Sequence, residues 1–383
     1  MLLTQTLRMA CPIVAALLCS AAWCQPAPVA SPAAPRAGPS AEQPFESLHR
    51  TIERLFPDVG SVVVLRRGEL LFEHYQAGTD ADALHAVQSV TKSVVALLVG
   101  IALDRGALAS LDQPIVTLLP GAMPQQAVAT DPPITIRHLL TMTAGFEPAR
   151  DFRRTDADDP QFLTRRHRSA APGAVFHYDN LAANLLAIAL EAATGQPVSA
   201  FAQQNLFEPL GIAGFDWEVG RHGHALGFAG LYLRTLDMAK LGQLVLQQGA
   251  WQGKQLVSKG FVDAAVQPQS VGGDPVGQAY GYLWWVVRTG KPRPTFFASG
   301  YGGQLIWVYP PLDLVVATTS VVSEASNARG QALTLIRNDI FRALTSGADI
   351  GRLTGPVMSP SNDPPRHRGI STPRYCLPTR RNP

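Results

Sequence analysis

Ser89 to Ala102 (SVTKSVVALLVGIA) reads as the most apolar helix of the chain. Ser89, Ser93 and Leu97 fall on related turns, as do Val94, Leu98 and Ile101, and Gly106 lies beyond the end. Such a helix belongs at the centre of a folded domain. Lys92 is then out of place, because an amine directed into an apolar surface is costly without a reason. Residues three apart share a helix face, so Lys92 stands beside Ser89. A serine hydroxyl is a poor nucleophile until a base takes its proton. A lysine can be that base if burial or a neighbouring cation lowers its pKa, and a helix N-terminus offers N–H groups to a developing oxyanion. The plainer alternative is a capping serine and a lysine that snorkels to water. The chain has only 5 lysines and a single Ser-x-x-Lys match, placed at this helix start.

Working outward, Phe45 to Leu55 has apolar residues at helical spacing, and Ser61–Leu65, a turn at Arg66-Arg67-Gly68, and Glu69–Tyr75 read as a hairpin. Ile136–Met142 and Leu181–Ala193 are the clearest helices of the middle. Residues 145 to 175 form a polar connection long enough to suggest a functional role. Strand signals return at Tyr280–Val287, Thr295–Ser299, Gln304–Tyr309 and Asp313–Thr319, before a helix over Ala328–Leu344. Strands at both ends and helices between them predict an α/β fold, an antiparallel sheet flanked by helices over 44–111 and 226–345, with an all-helical insertion domain over 112–225.

The ends are of a different kind. Residues 1–24 have the order of a signal peptide: Arg8, an apolar run over 9–23, and small residues at Ser20, Ala21 and Ala22. The run is too short for a stable membrane span, so export to the periplasm or beyond a bacterial cell is expected. Leu18 and Trp23 precede Cys19 and Cys24, which is a poor lipoprotein context. Residues 25–43 are a Pro/Ala-rich linker, and 346–383 is expected to be a disordered basic tail. Cys11, Cys19, Cys24 and Cys376 all lie in these ends, which excludes a disulfide framework or a thiolate metal site in the body. The net charge of +3 also comes from the ends, and no basic stripe argues for nucleic acid.

Two further stretches carry chemistry. Tyr178-Asp179-Asn180 precedes the helix at Leu181, and of 8 tyrosines only Tyr178 has Asn two residues on. Tyr178 can relay a proton, and Asn180 can hold Lys92 or donate to a substrate carbonyl. The alternative is Asn180 as helix cap and Tyr178 as packing. Ala298-Ser299-Gly300-Tyr301-Gly302-Gly303 places glycine inside a strand pattern, a mark of close backbone approach or of a hairpin turn. Trp284 and Trp285 suit either an acyl pocket or the core, and His177 has no role beside Ser89, Lys92 and Tyr178.

In their order, these motifs resemble the class C β-lactamase and DD-peptidase superfamily of serine hydrolases, and within it the esterase and 6-aminohexanoate-dimer-hydrolase branch. The similarity runs over about 45–345 and includes ITIRHLLTMTAG (134–145), PGAVFHYDN (172–180), NLFEPLGI (205–212), GLYLRTLDMAKLG (230–242) and FASGYGGQLIWVYP (297–310). It implies acylation of Ser89, proton transfer shared by Lys92 and Tyr178, and an oxyanion hole from the N–H groups of Ser89 and Tyr301, on the Ser299-Gly300 strand end. It also implies that Asn180 positions lysine and substrate, with no cofactor or metal. Many relatives carry Lys-Thr-Gly or His-Thr-Gly on the late strand, whereas this chain has Ala298-Ser299-Gly300. The lost cation favours a neutral ester or amide over the other expectations, a β-lactamase or D-alanyl-D-alanine carboxypeptidase. A binding reading is a non-turnover penicillin-binding sensor. The partner expected is a small ester, amide or peptide-like molecule.

Overall fold

In the computed structural model, residues 45, 47–122, 132–148, 156–288, 292–321 and 327–344 are described. The signal peptide, linker and basic tail read from the sequence lie outside these residues. After helix α1 (Leu48–Leu55) the chain forms the hairpin β1 (Val59–Arg66) and β2 (Glu69–Tyr75), then a short strand β3 (His85–Ala86) that leads into helix α2 (Val90–Asp104). Helices α3 (Ile136–Leu140), α4 (Pro160–Thr164) and α5 (Asn180–Thr194) follow. Strands β4 (Asp216–Trp217) and β5 (Leu231–Leu233) precede helix α6 (Thr235–Leu246). The hairpin β6 (Ala250–Trp251) and β7 (Lys254–Gln255) leads to helix α7 (Lys259–Ala265). The remaining strands are β8 (Ser270–Gly273), β9 (Gln278–Tyr280), β10 (Trp285–Val286), β11 (Phe296–Gly300), β12 (Gln304–Tyr309) and β13 (Leu314–Ser320), followed by helix α8 (Ala328–Thr334) and, after a π-helical stretch, a last helical turn at Phe341–Leu344.

The main sheet has 8 strands in the order β2-β1-β13-β12-β11-β10-β9-β8, with every neighbouring pair antiparallel. The α/β class with an antiparallel sheet flanked by helices is therefore what the chain adopts. Composition explains the order of the strands. VGSVVVLR in β1 is buried from Val59 to Leu65, as expected of a strand covered on both faces. ELLFEHY in β2 is half exposed, as suits an edge. Helix α6 lies over β12, β13 and β1, α8 over β13 and β1, and α2 against β11 and β12. Gly242 is needed in α6, because a Cβ there would sit 2.6 Å from a methyl of Ile306 and 2.7 Å from one of Val315.

Two boundaries differ from the sequence pattern. Tyr280–Val287, read as one strand, is two: the chain turns between β9 and β10, with Gly281 N–H donating to Trp284 O at 2.8 Å and Leu283 at φ 55°. An unbroken apolar run hides a tight turn whose residues are themselves buried. The helix expected over Ala328–Leu344 widens to a π-helical stretch at Leu335–Ile340. Among the described residues no single helix is long and apolar enough to cross a membrane. The contact of α6 with the sheet gives a test of this packing. Gly242→Val should destabilise the fold by about 1–3 kcal/mol through overpacking, read as a lower urea midpoint with an unchanged m-value.

Candidate active site

Helix α2 is buried from Val90 to Ala102, so everything at its N-terminus is fixed by core packing. The chain enters it through β3, and Val87 N–H donates to Leu231 O of β5 at 2.9 Å. Gln88 then adopts φ 53°, a left-handed conformation that a non-glycine residue holds only at some cost. That turn presents Ser89 at the N-cap position. The Ser89 side chain makes no capping bond. Lys92 is 1% exposed and so does not snorkel. The plainer reading of the pair, a capping serine with a solvated lysine, is thereby removed.

Lys92 Nζ lies 2.8 Å from Ser89 Oγ and donates to the carbonyl oxygen of Phe228 at 3.0 Å. Burial lowers its pKa to about 7, against a smaller opposing effect of the Asp179 charge. The aromatic ring of Tyr178 stands 4.8 Å from Nζ. Burial pushes the Tyr178 pKa up to about 12, over the lowering effects of the Ser89 hydroxyl and of Arg329. Trp285 stacks on the Tyr178 ring at 5.6 Å, and Tyr280 meets it edge-on at 6.1 Å. Trp285 thus backs the site, whereas Trp284 is core, edge-on to Phe296.

Asp179, not Asn180, caps α5, its carboxylate accepting from Leu181 N–H at 2.9 Å. Asn180 is the first helical residue. Its Oδ1 is buried and without a hydrogen-bond partner among the described residues. Nor does Asn180 hold the lysine: the partners of Nζ are Ser89 and Phe228. Phe228 is held in turn, its N–H donating to Asn184 Oδ1 at 3.1 Å while Asn184 Nδ2 donates to Ala157 O at 2.5 Å. Asn184 could have been noticed as a polar residue in an apolar helix one turn after Asn180. Phe228 contributes only a backbone carbonyl, which leaves no trace in the residue type.

The late strand reaches the same place. Gly300 ends β11 with its Cα against the Val87 carbonyl and the Gln88 side chain, so that a Cβ would collide with both. Close backbone approach is therefore why glycine stands there. Ala298 is buried, Ser299 half-buried, and Tyr301, the next residue, is 70% exposed. His177 is tied by its N–H to Met142 O at 2.8 Å, with Nδ1 buried and unpartnered among the described residues. Arg329 of α8 is near enough for its charge to act on Tyr178, lowering the tyrosine pKa against the effect of burial. Nothing in the local sequence links Arg329 to Tyr178.

Comparison with known proteins bears on the family. Esterase EstB of Burkholderia gladioli is 35% identical over 181 residues, 40% of this chain and 46% of the esterase, so the match spans less than half the esterase's length. The 6-aminohexanoate-dimer hydrolase of Paenarthrobacter ureafaciens is 28% identical over 287 residues, covering 67% of this chain and 71% of the relative. Among solved structures, a penicillin-binding protein homologue from Caulobacter crescentus superposes with a TM-score of 0.65 at 16% identity, covering 80% of this chain and 98% of the other. The beta-lactamase family model matches residues 53–337, and with fold and relatives in accord this chain is a member of the beta-lactamase family of hydrolases.

Proposed function

We propose that this protein is a serine hydrolase that cleaves an ester or amide bond through an acyl-enzyme on Ser89. The observation that carries the reading is the 2.8 Å approach of a fully buried Lys92 amine to the Ser89 hydroxyl. With a pKa near 7, about half of Lys92 is neutral at neutral pH. A neutral Nζ donates to Phe228 O and turns its lone pair to the serine proton. Ser89 Oγ attacks the carbonyl carbon as its proton passes to Nζ, and the oxyanion is received by the N–H groups of Ser89 and Tyr301. Tyr178, with a pKa near 12, keeps its proton at neutral pH. Its role is that of a proton donor and relay to the leaving alcohol or amine, not of a resident phenolate base. Water then releases the acid by the reverse proton path. Asn180, with its buried unpartnered amide oxygen, is an acceptor for a substrate N–H.

The named activities of the two relatives, an esterase and an amide-cleaving dimer hydrolase, support an ester or amide as substrate. Arg329 favours a second reading, a peptide-like amide with an acidic group, which includes β-lactams. The exported location read from residues 1–24 suits such a substrate outside the cytoplasm.

Intact mass after incubation with a fluorophosphonate probe and with penicillin separates these readings. A fluorophosphonate adduct, absent in Ser89→Ala, with no lasting penicillin adduct is the expected result. A lasting penicillin adduct would favour the peptidase or sensor reading. No adduct with either probe would remove the hydrolase reading. Lys92→Met should slow Ser89 labelling at least 100-fold, the scale of a lost general base. It should also raise Tm by several degrees, because it relieves a buried amine of its desolvation. The sign follows from the lowered pKa. Between pH 7 and 10 the unfolded chain binds a proton that the native Lys92 does not, so wild-type stability rises with pH there and Lys92→Met flattens that dependence. A Tm that falls in Lys92→Met would contradict the assignment of Lys92 as a strained, functional amine.

A further inference from the structure

The polar connection over 145–175 brings one arginine to the site. Arg166 Nη1 donates to Asp179 Oδ2 at 2.7 Å, with the two side chains only 7% and 8% exposed. Its Nη2 donates to Glu147 O at 2.8 Å, and the guanidinium lies over the Phe146 ring at 4.6 Å from its centroid. Asp179 is fixed from the other side by Leu181 N–H, and its own N–H meets Met142 Sδ at 3.4 Å. The residue that Arg166 grips is therefore the one between Tyr178 and Asn180. A helix cap does not need this pair, since an exposed Asp or Asn caps equally well. A buried ion pair is also a weak source of stability in its own right.

We propose that Arg166 is a positioning residue that acts on Lys92 through Asp179: by holding the carboxylate in a buried ion pair, it keeps an uncompensated negative charge away from the general base. This rests on the reading of Lys92 as that base. The ionisable groups around Nζ are Tyr178, with Tyr280 behind its ring and Arg329 beyond it, and Asp179 with Arg166. Of these, Asp179 is the one whose charge favours the protonated, inactive amine. Asp179 is needed where it stands, because it starts α5 and sets Tyr178 and Asn180 in place. Arg166 lets it remain there with a positive charge held against its carboxylate.

The test is the pH dependence of the second-order rate of Ser89 labelling by a fluorophosphonate, read by intact mass for the wild-type protein, Arg166→Met, Asp179→Asn and the double variant. Asn at 179 keeps a cap and the double variant removes both charges, so the double variant retains the fold where either single variant leaves a buried charge unpaired. The acid limb is expected to move up by about 1 pH unit in Arg166→Met and down in Asp179→Asn, and to return near the wild-type position in the double variant. A structural role alone would lower the rate without moving the limb in opposite directions. Coincident limbs, or movement of both single variants in the same direction, would overturn the proposal. Ser89→Ala and Lys92→Met serve as controls. If labelling survives in Ser89→Ala, or Lys92→Met keeps the wild-type limb, the acyl-enzyme reading itself fails.

Discussion

An amine enclosed in a hydrophobic core is the constraint on which this structure turns. Lys92 sits in the first turn of a helix that is otherwise buried apolar surface, and water does not reach it. Burial removes the solvation that keeps a lysine charged and lowers its pKa to about 7. The same helix sets Ser89 one turn earlier, within hydrogen-bond reach. On the proposed reading, reactivity is a consequence of burial in the core, and the fold bears a destabilising amine to obtain it.

The surrounding elements hold this pair in geometry. Gln88 takes up a left-handed turn so that Ser89 faces the site, and Gly300 lets the end of β11 lie directly on that turn. Asn184 ties the Phe228 backbone to Ala157, which fixes the carbonyl that receives Nζ. Trp285 and Tyr280 pack on Tyr178 from below. Each contact restrains a group whose displacement by an ångström would weaken proton transfer. The site is built from α2, the start of α5, the segment before β5 and the end of β11, which are far apart in sequence and joined by the core.

The periodic parts of this arrangement could be read in advance. The apolar helix at 90–104, the hairpin at 59–75 and the late strands carry their spacing in the residues themselves. Ser89 and Lys92 were visible because a lysine in an apolar run is costly, and Gly300 because glycine inside a strand pattern needs a reason. What stayed hidden involves either backbone atoms or distance. The Phe228 carbonyl has no residue signature. The break between β9 and β10 lies in an apolar run with no polar turn. Arg329 and Arg166 come to the site from segments whose local patterns give no reason to pair them with Tyr178 and Asp179. Helix α6 was present in the sequence only as part of a family block, although its Asp237 and Lys240 pair at 3.0 Å with the spacing of one turn.

The claim underlying all of this is that Lys92 loses its proton near neutral pH. Lysine labelled with ¹³C at Cε and observed by NMR tests it directly. The chain has 5 lysines, and Lys92→Met identifies the resonance by its loss. A resonance titrating near pH 7 that is lost in Lys92→Met is the predicted result. If the Lys92 resonance instead titrates near the ordinary lysine value of about 10.4, the core does not make it a base, and the account of how this fold activates Ser89 is wrong.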